Sequence, residues 1–167
     1  GAFEIDAGAV VVATGGVDRA WPVPGWEHPG VITASQIVEG GLRYGVIGGH
    51  ADAAVVAIEG AGGTVATVVT DLAVARIEGE GRVERLGDVP VDRVVLALGR
   101  VPDPALALQA RAESAFDRNA LVAMPLLADD GATSQPGVFV AGEAAGVTGV
   151  EAAGAHGERV GRAAAAV

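Results

Sequence analysis

Glu143 is the acidic residue of this sequence that is best placed to bind a ligand. It follows Gly142 and the apolar run of residues 138–141, which predicts a buried strand. Ligands bind α/β sheets at the carboxyl ends of the strands, and a carboxylate at that place can accept hydrogen bonds from a sugar-like polyol. A turn carboxylate without a ligand is the alternative.

Small residues follow Glu143 and lead into a predicted helix that starts near Val150. Glycines such as Gly146 let a cofactor approach the backbone closely. The first turn of a helix offers free N–H groups and the positive end of the helix dipole. The candidate cofactor-binding residues of this segment are therefore Gly142, Glu143, Thr148, Gly149 and Val150. An ordinary α/β domain could also end in such a strand, turn and helix.

Two other strand ends share the pattern apolar, apolar, Ala, any residue, Gly. One covers residues 11–15 and the other covers residues 95–99. The adenosine or pyrophosphate of a cofactor lies against turns of this kind, where a side chain beyond Cβ would collide with it. We therefore predict cofactor contacts at Thr14, Gly15 and Gly99. Each motif alone is also compatible with a strand that simply ends in a tight turn.

A strand, glycine turn, helix and second strand are predicted over residues 42–70. Such a βαβ unit binds the phosphates of a dinucleotide at its first turn and the ribose at the end of its second strand. Gly48, Gly49 and Asp71 are the candidate contacts. Asp71 is equally typical of a turn.

His50 is an unusual residue for this glycine turn. When Gly48 is aligned with the first glycine of a G-x-G-x-x-G motif, His50 takes the second position and Ala53 the third. Ala is acceptable at the third position, whereas an imidazole at the second obstructs the pyrophosphate. His50 is interpreted either as a phosphate ligand or as a loop residue.

The composition indicates a tightly packed α/β protein and excludes several kinds of chemistry. The 167 residues are 50% hydrophobic and include 26 glycines. The lack of cysteine excludes a redox disulfide, an iron–sulfur cluster and a thiolate nucleophile. A net charge of -10 argues against nucleic acid or an anionic membrane as partner.

Other functional signals are missing from the sequence. The three histidines show no metal-ligand spacing, so no metal site is predicted. No Ser-His-Asp set or pair of catalytic carboxylates is evident, and no catalytic residue is assigned. No apolar run approaches the roughly 20 residues of a membrane span, so we expect a soluble cytoplasmic protein. The start at Gly1, directly before a strand-like pattern, suggests a cut or processed N-terminus.

The order of the predicted elements suggests two domains. Pro22, Pro24 and Pro29 disfavour regular structure and predict an extended linker over residues 17–30. A fully buried strand is predicted over residues 7–13, and a hairpin is predicted around Glu78 to Gly81. Residues 103–130 are predicted to be loosely structured, with a short helix over residues 104–112.

In this order the motifs resemble flavoproteins with two dinucleotide-binding domains, of the pyridine nucleotide-disulfide oxidoreductase type. Residues 18–34 are similar to the linker of the sarcosine oxidase, opine oxidase, hydrogen cyanide synthase and dye-linked proline dehydrogenase subunits. Residues 115–117 and 131–149 are similar to their C-terminal stretch. The resemblance implies an incomplete, doubly wound, three-layer α/β fold of the Rossmann-like FAD/NAD(P)-binding type.

In that fold, residues 1–30 and 100–167 would be the C-terminal part of an FAD-binding domain. Residues 31–99 would be a shortened, inserted NAD(P)-binding-like domain. The resemblance implies a subunit or fragment of an oxidoreductase that oxidises an amine or amino acid by hydride transfer to flavin. Such subunits often work in hetero-oligomers, so other protein subunits are expected to complete the flavin site.

FAD is the expected cofactor, shared with a missing segment or with a partner. The family's strand followed by G-x-G-x-x-G, which carries the pyrophosphate of FAD, does not occur in these residues. NAD(P) binding is doubtful because of His50. The alternative is a non-catalytic remnant or assembly subunit that does not bind FAD alone.

Overall fold

The computed structural model describes residues 4–167. Residues 1–3, with which the first predicted domain segment begins, lie outside the described residues. The strands are β1 (Val10–Val12), β2 (Gly16–Asp18), β3 (Val31–Thr33), β4 (Arg43–Ile47), β5 (Thr64–Val69), β6 (Ile77–Glu78), β7 (Arg85–Leu86), β8 (Val89–Pro90), β9 (Arg93–Leu96), β10 (Arg100–Pro102), β11 (Ser114–Asp117), β12 (Val122–Pro125) and β13 (Val138–Val140). The α-helices are α1 (Ala51–Gly60), α2 (Ala105–Gln109) and α3 (Val150–Ala164). Short 3-10 helices cover Ala34–Gln36 and Gly142–Ala145.

The chain forms two compact units. One consists of the residues up to Val17 together with Val101–Val167, and the other is Asp18–Arg100. Most of the predicted linker therefore belongs to the second unit, where Val23 is only 2% exposed and packs in the core. The proline-containing segment is therefore packed as part of this unit and is not a free linker between domains.

The unit Asp18–Arg100 is built on a four-stranded parallel sheet in the order β3-β9-β4-β5. On one face Val46 shares a core cluster with Ile58 of α1. On the other face Ile47 shares a cluster with Leu86 of the antiparallel sheet β6-β7-β8. Successive strand residues point to opposite faces, so a sheet covered on both sides requires continuous apolar runs. The predicted three-layer α/β fold with a parallel sheet is confirmed, with the small antiparallel sheet as one of the layers.

The other unit is built on the parallel pair β1 and β13, in which Val10 lies opposite Val138. Val140 packs in a cluster with Ala107 of α2. Phe139 packs in a second cluster with Val160 of α3. The strand pair is thus held between the two helices, and the predicted strand, turn and helix at the end of the chain are present.

The prediction of a fully buried strand over residues 7–13 is wrong. Only Val10–Val12 form β1, and the side chains of Val10 and Val11 are 53% and 40% exposed. Among the described residues β1 pairs with β13 alone, so its other edge has no neighbouring strand. Its apolar sequence therefore lies at an open edge.

An antiparallel pair, β11 and β12, lies inside the segment that was predicted to be loosely structured. Asp117 holds the turn between them, because its Oδ1 accepts hydrogen bonds from the N–H groups of Asn119 (2.7 Å) and Ala120 (2.9 Å). These backbone donors hold the pKa of the Asp117 carboxyl below its ordinary value. The predicted helix over residues 104–112 is the shorter α2.

Candidate functional site

The carboxylate of Glu143 lies against the glycine turn that follows β1. A Cβ added to Gly15 would be 3.7 Å from Oε2 of Glu143, and a Cβ added to Gly16 would be 2.8 Å from its Cδ. Because β1 and β13 are parallel and in register, their carboxyl ends lie side by side and bring these residues together. Sequence reasoning did not select Gly16, although the Gly15-Gly16 doublet was a visible signal.

Thr14 stabilises the same turn through Asp103. Its Oγ1 donates a hydrogen bond to the carbonyl oxygen of Asp103 at 2.5 Å, and the Asp103 N–H donates to the carbonyl oxygen of Gly15 at 2.9 Å. The hydroxyl proton of Thr14 is therefore used within the fold. Its part in the site is to keep the Gly15 turn in place.

Gly142 begins the turn after β13 in a left-handed conformation, with φ +65°. Its N–H donates to Nδ1 of His156 at 3.1 Å, and its carbonyl oxygen accepts from the N–H of Val147 at 3.2 Å. A Cβ added to Gly142 would be 3.9 Å from Cβ of Ala153 on α3. Both backbone polar groups of Gly142 are thus engaged, and no sequence pattern had pointed to His156.

The start of α3 is open. Gly149 precedes the helix with φ +90°, and a Cβ added there would meet nothing within 4 Å. Its carbonyl oxygen accepts from the N–H of Ala153 at 2.9 Å. Within residues 4–167 no acceptor is found for the N–H groups of Val150, Glu151 and Ala152. These are the donors that a helix N-terminus offers to an electron-rich ligand.

In the unit Asp18–Arg100 the structure brings together Gly48, His50 and Gly99. A Cβ added to Gly99 would be 2.8 Å from Nε2 of His50, so the imidazole lies over this glycine. The N–H of Gly48 donates to Val69 at 2.9 Å, and the N–H of His50 donates to Ala97 at 3.0 Å. Two backbone N–H groups of the turn therefore already donate hydrogen bonds to residues at the ends of neighbouring strands.

Two acidic residues near this turn, Asp52 and Asp71, affect whether it could bind a phosphate. Asp52 places a carboxylate in the first turn of α1, where it opposes a phosphate electrostatically. Asp71 accepts the N–H of Ala73 on Oδ1 at 2.9 Å and so closes its own turn. Gly49 faces open space. With the His50 ring over Gly99, this arrangement does not fit the pyrophosphate of a dinucleotide.

Neither a metal site nor a membrane span is found among the described residues. In the part of the chain that the structure describes, no cluster of three or more His, Asp or Glu side chains is arranged to hold a metal ion. No helix within residues 4–167 has the length and apolar character needed to cross a membrane.

Comparison with known proteins found no matching protein-family model. An opine oxidase subunit from Agrobacterium tumefaciens (strain Ach5) is 25% identical to the chain over 208 residues, which is 89% of this chain and 41% of the relative. The chain thus spans less than half the length of this relative.

Solved structures of related oxidoreductases are also similar to this chain. L-proline dehydrogenase from P. horikoshii matches with a TM-score of 0.68 and 26% identity, over 81% of this chain and 30% of that protein. An FAD-dependent pyridine nucleotide-disulphide oxidoreductase from Desulfovibrio vulgaris matches with a TM-score of 0.65 and 21% identity, over 97% of this chain and 55% of that protein. The chain therefore has the fold of FAD-dependent oxidoreductases, and the resemblance to this group is confirmed.

Proposed function

We propose that this chain forms the flavin-facing part of an FAD-dependent oxidoreductase that oxidises an amine or amino acid. The observation that carries the proposal is the position of the Glu143 carboxylate. It lies against the Gly15-Gly16 turn, at the adjacent carboxyl ends of two parallel strands. The similarity to the opine oxidase subunit and to L-proline dehydrogenase supports the substrate class.

The residues of the site would bind and orient the cofactor. Glu143 accepts hydrogen bonds from the hydroxyl groups of the ribityl chain. The N–H groups at the start of α3, from Val150 to Ala152, would face the N1 and O2 region of the flavin and would stabilise negative charge there. The open space at Gly149 would let the ring approach the backbone, and the neighbouring Thr148 would contact the cofactor. Bound FAD would supply the hydride acceptor for oxidation of the carbon next to the amine nitrogen; the substrate would become an iminium ion, which would lose its N–H proton to water to give the imine.

The proposal assigns different roles to the two parts of the chain. The unit made of the residues up to Val17 and of Val101–Val167 would be the C-terminal part of an FAD-binding domain, and the unit Asp18–Arg100 would be a shortened NAD(P)-binding-like domain. The latter keeps the fold without nicotinamide binding, because His50 lies over Gly99. A G-x-G-x-x-G turn from another protein chain, or from a segment outside these residues, holds the pyrophosphate of FAD.

A second function, in assembly without FAD binding by this chain alone, is favoured by one observation. Val10 and Val11 of β1 expose apolar side chains at a strand edge that is open within the described residues. Open strand edges pair readily with other chains. In this case the chain would contribute its turns only after a partner has covered β1.

An absorption spectrum of the purified chain with added FAD separates the two functions. We expect a flavin band in the visible blue that survives desalting, and its loss in Glu143→Ala. The conservative Asp88→Asn variant, at an exposed position of the other unit, serves as the control and should leave the band unchanged. A colourless chain that also ignores added FAD would favour the assembly function. Anaerobic bleaching of the band by L-proline or by an opine tests the substrate class.

A further inference from the structure

His156 makes an uncommon contact for a helix residue. Its Nδ1 accepts a hydrogen bond from the backbone N–H of Gly142, 14 residues earlier in the chain. An imidazole nitrogen accepts a hydrogen bond only when it carries no proton, so this contact requires the tautomer whose proton is on Nε2. The contact therefore assigns one tautomer to His156 and engages the first amide of the turn after β13.

The position of the ring is fixed by the helix face on which it lies. Ala153, His156 and Val160 are spaced by three and four residues and share one face of α3. Ala153 lies next to Gly142, and Val160 is fully buried against β13. The ring is thus held between two packed positions and aimed at the turn.

The turn in question carries the carboxylate of the site. Gly142 immediately precedes Glu143, and its carbonyl oxygen is already bonded to Val147. The Gly142 N–H, held by His156, belongs to the peptide group before Gly142, and the carbonyl oxygen belongs to the peptide group that leads into Glu143, so the two hydrogen bonds hold the peptide groups on both sides of Gly142. The carboxylate is thereby directed toward Gly15 and Gly16.

From this geometry we infer that His156 is a positioning residue, which orients Glu143 for the flavin polyol through its hydrogen bond to Gly142. The inference rests on the proposed function only where it names the flavin. His156 itself does not need to contact the cofactor. Another side chain with a hydrogen-bond acceptor at the same place should therefore be able to take over the role of His156.

Three variants test the inference: His156→Leu removes the acceptor, His156→Asn places Oδ1 where Nδ1 was, and Glu158→Gln changes an exposed residue of the same helix as the control. The first measurement is the set of backbone amide NMR signals of Gly142, Glu143, Gly15 and Gly16 in the full chain. The second is FAD affinity. We expect His156→Leu to shift these signals and to weaken FAD binding roughly tenfold. His156→Asn should restore both, and the control should change neither.

The outcomes separate the inference from the proposed function. Unshifted signals of Gly15 and Gly16 in His156→Leu, or a failure of His156→Asn to restore them, would overturn the positioning role. If the wild-type chain binds no FAD, flavin binding by this chain is contradicted, while the amide signals still decide the positioning role. Should His156→Leu not fold, the scalar coupling between the Gly142 nitrogen and Nδ1 of wild-type His156 decides, and its absence counts against the inference.

Discussion

Asp18 is a carboxylate with hydrogen-bond partners on two other segments of its unit. Its side chain is 7% exposed and accepts hydrogen bonds from the N–H of Ser35 at 2.7 Å and from Nη1 of Arg100 at 3.0 Å. Burial raises the pKa of this carboxyl, but the hydrogen bonds from Ser35 and Thr33 and the charge of Arg100 outweigh it, so the pKa lies below the ordinary value. The ionised form therefore stabilises the fold.

This predicts a pH-dependent effect of Asp18→Asn. A carboxyl whose pKa is lowered by folding stabilises the protein above its unfolded pKa, and this contribution disappears as the pH falls through the folded pKa. We expect Asp18→Asn to reduce the free energy of unfolding by about 2 kcal/mol at neutral pH. The difference from wild type should shrink below about pH 4. Urea unfolding at several pH values measures it, with the exposed Asp88→Asn as control; a difference that stays constant down to acidic pH would refute the prediction.

At the residue scale, sequence reasoning selected residues at strand ends but missed the residues that hydrogen-bond to them. Glu143 and Gly15 were predicted from strand ends, because a strand end is a local pattern. Asp103 supports Thr14 from 89 residues away and His156 supports Gly142 from 14 residues away. Such partners are set by tertiary packing, which leaves no periodic signal in the sequence.

At the element scale, the glycine turn after β4 contains two glycines in different environments. Gly48 has φ +128°, and a Cβ there would be 2.3 Å from the carbonyl oxygen of Ala97. Gly49 has no positive φ, and a Cβ there would meet nothing within 4 Å. The turn therefore requires glycine at the first position only.

Gly48→Ala and Gly49→Ala form a matched pair that tests this difference. We expect Gly48→Ala to destabilise the protein by about 3 kcal/mol or more, because strain in φ adds to a backbone clash. Gly49→Ala should change the stability by less than about 1 kcal/mol. Thermal unfolding followed by circular dichroism compares them. Equal losses in both variants would mean that the backbone path of the turn is different.

The elements with long apolar runs were predictable, and the shortest ones were not. Strands β4, β5 and β9 and helices α1 and α3 follow runs or turns that are visible in the sequence. In contrast, β7 and β8 have two residues each and exist because they cover the sheet face around Ile47. The exposure of β1 could not be predicted either, because an apolar strand at an open sheet edge has the same sequence pattern as a buried strand.

At the scale of the whole molecule, the two units contribute unequally to the proposed function. In the proposed function, the unit that contains Glu143 and the start of α3 would provide hydrogen-bonding groups for a polyol and for an electron-rich ring. The unit Asp18–Arg100 has a dinucleotide-binding topology, but His50 covers its turn. Because no G-x-G-x-x-G turn occurs in these residues, the chain should recognise the flavin end of FAD and not its adenine diphosphate end.

Comparing FAD with its two halves as ligands tests this claim most directly. We expect riboflavin to bind with an affinity within about tenfold of that of FAD, since the pyrophosphate has no cradle in this chain, and Glu143→Gln to weaken both by about tenfold. ADP should neither bind nor compete. Isothermal titration calorimetry with the three ligands measures these affinities. Binding of ADP as tight as that of FAD, or no binding of riboflavin, would contradict the account.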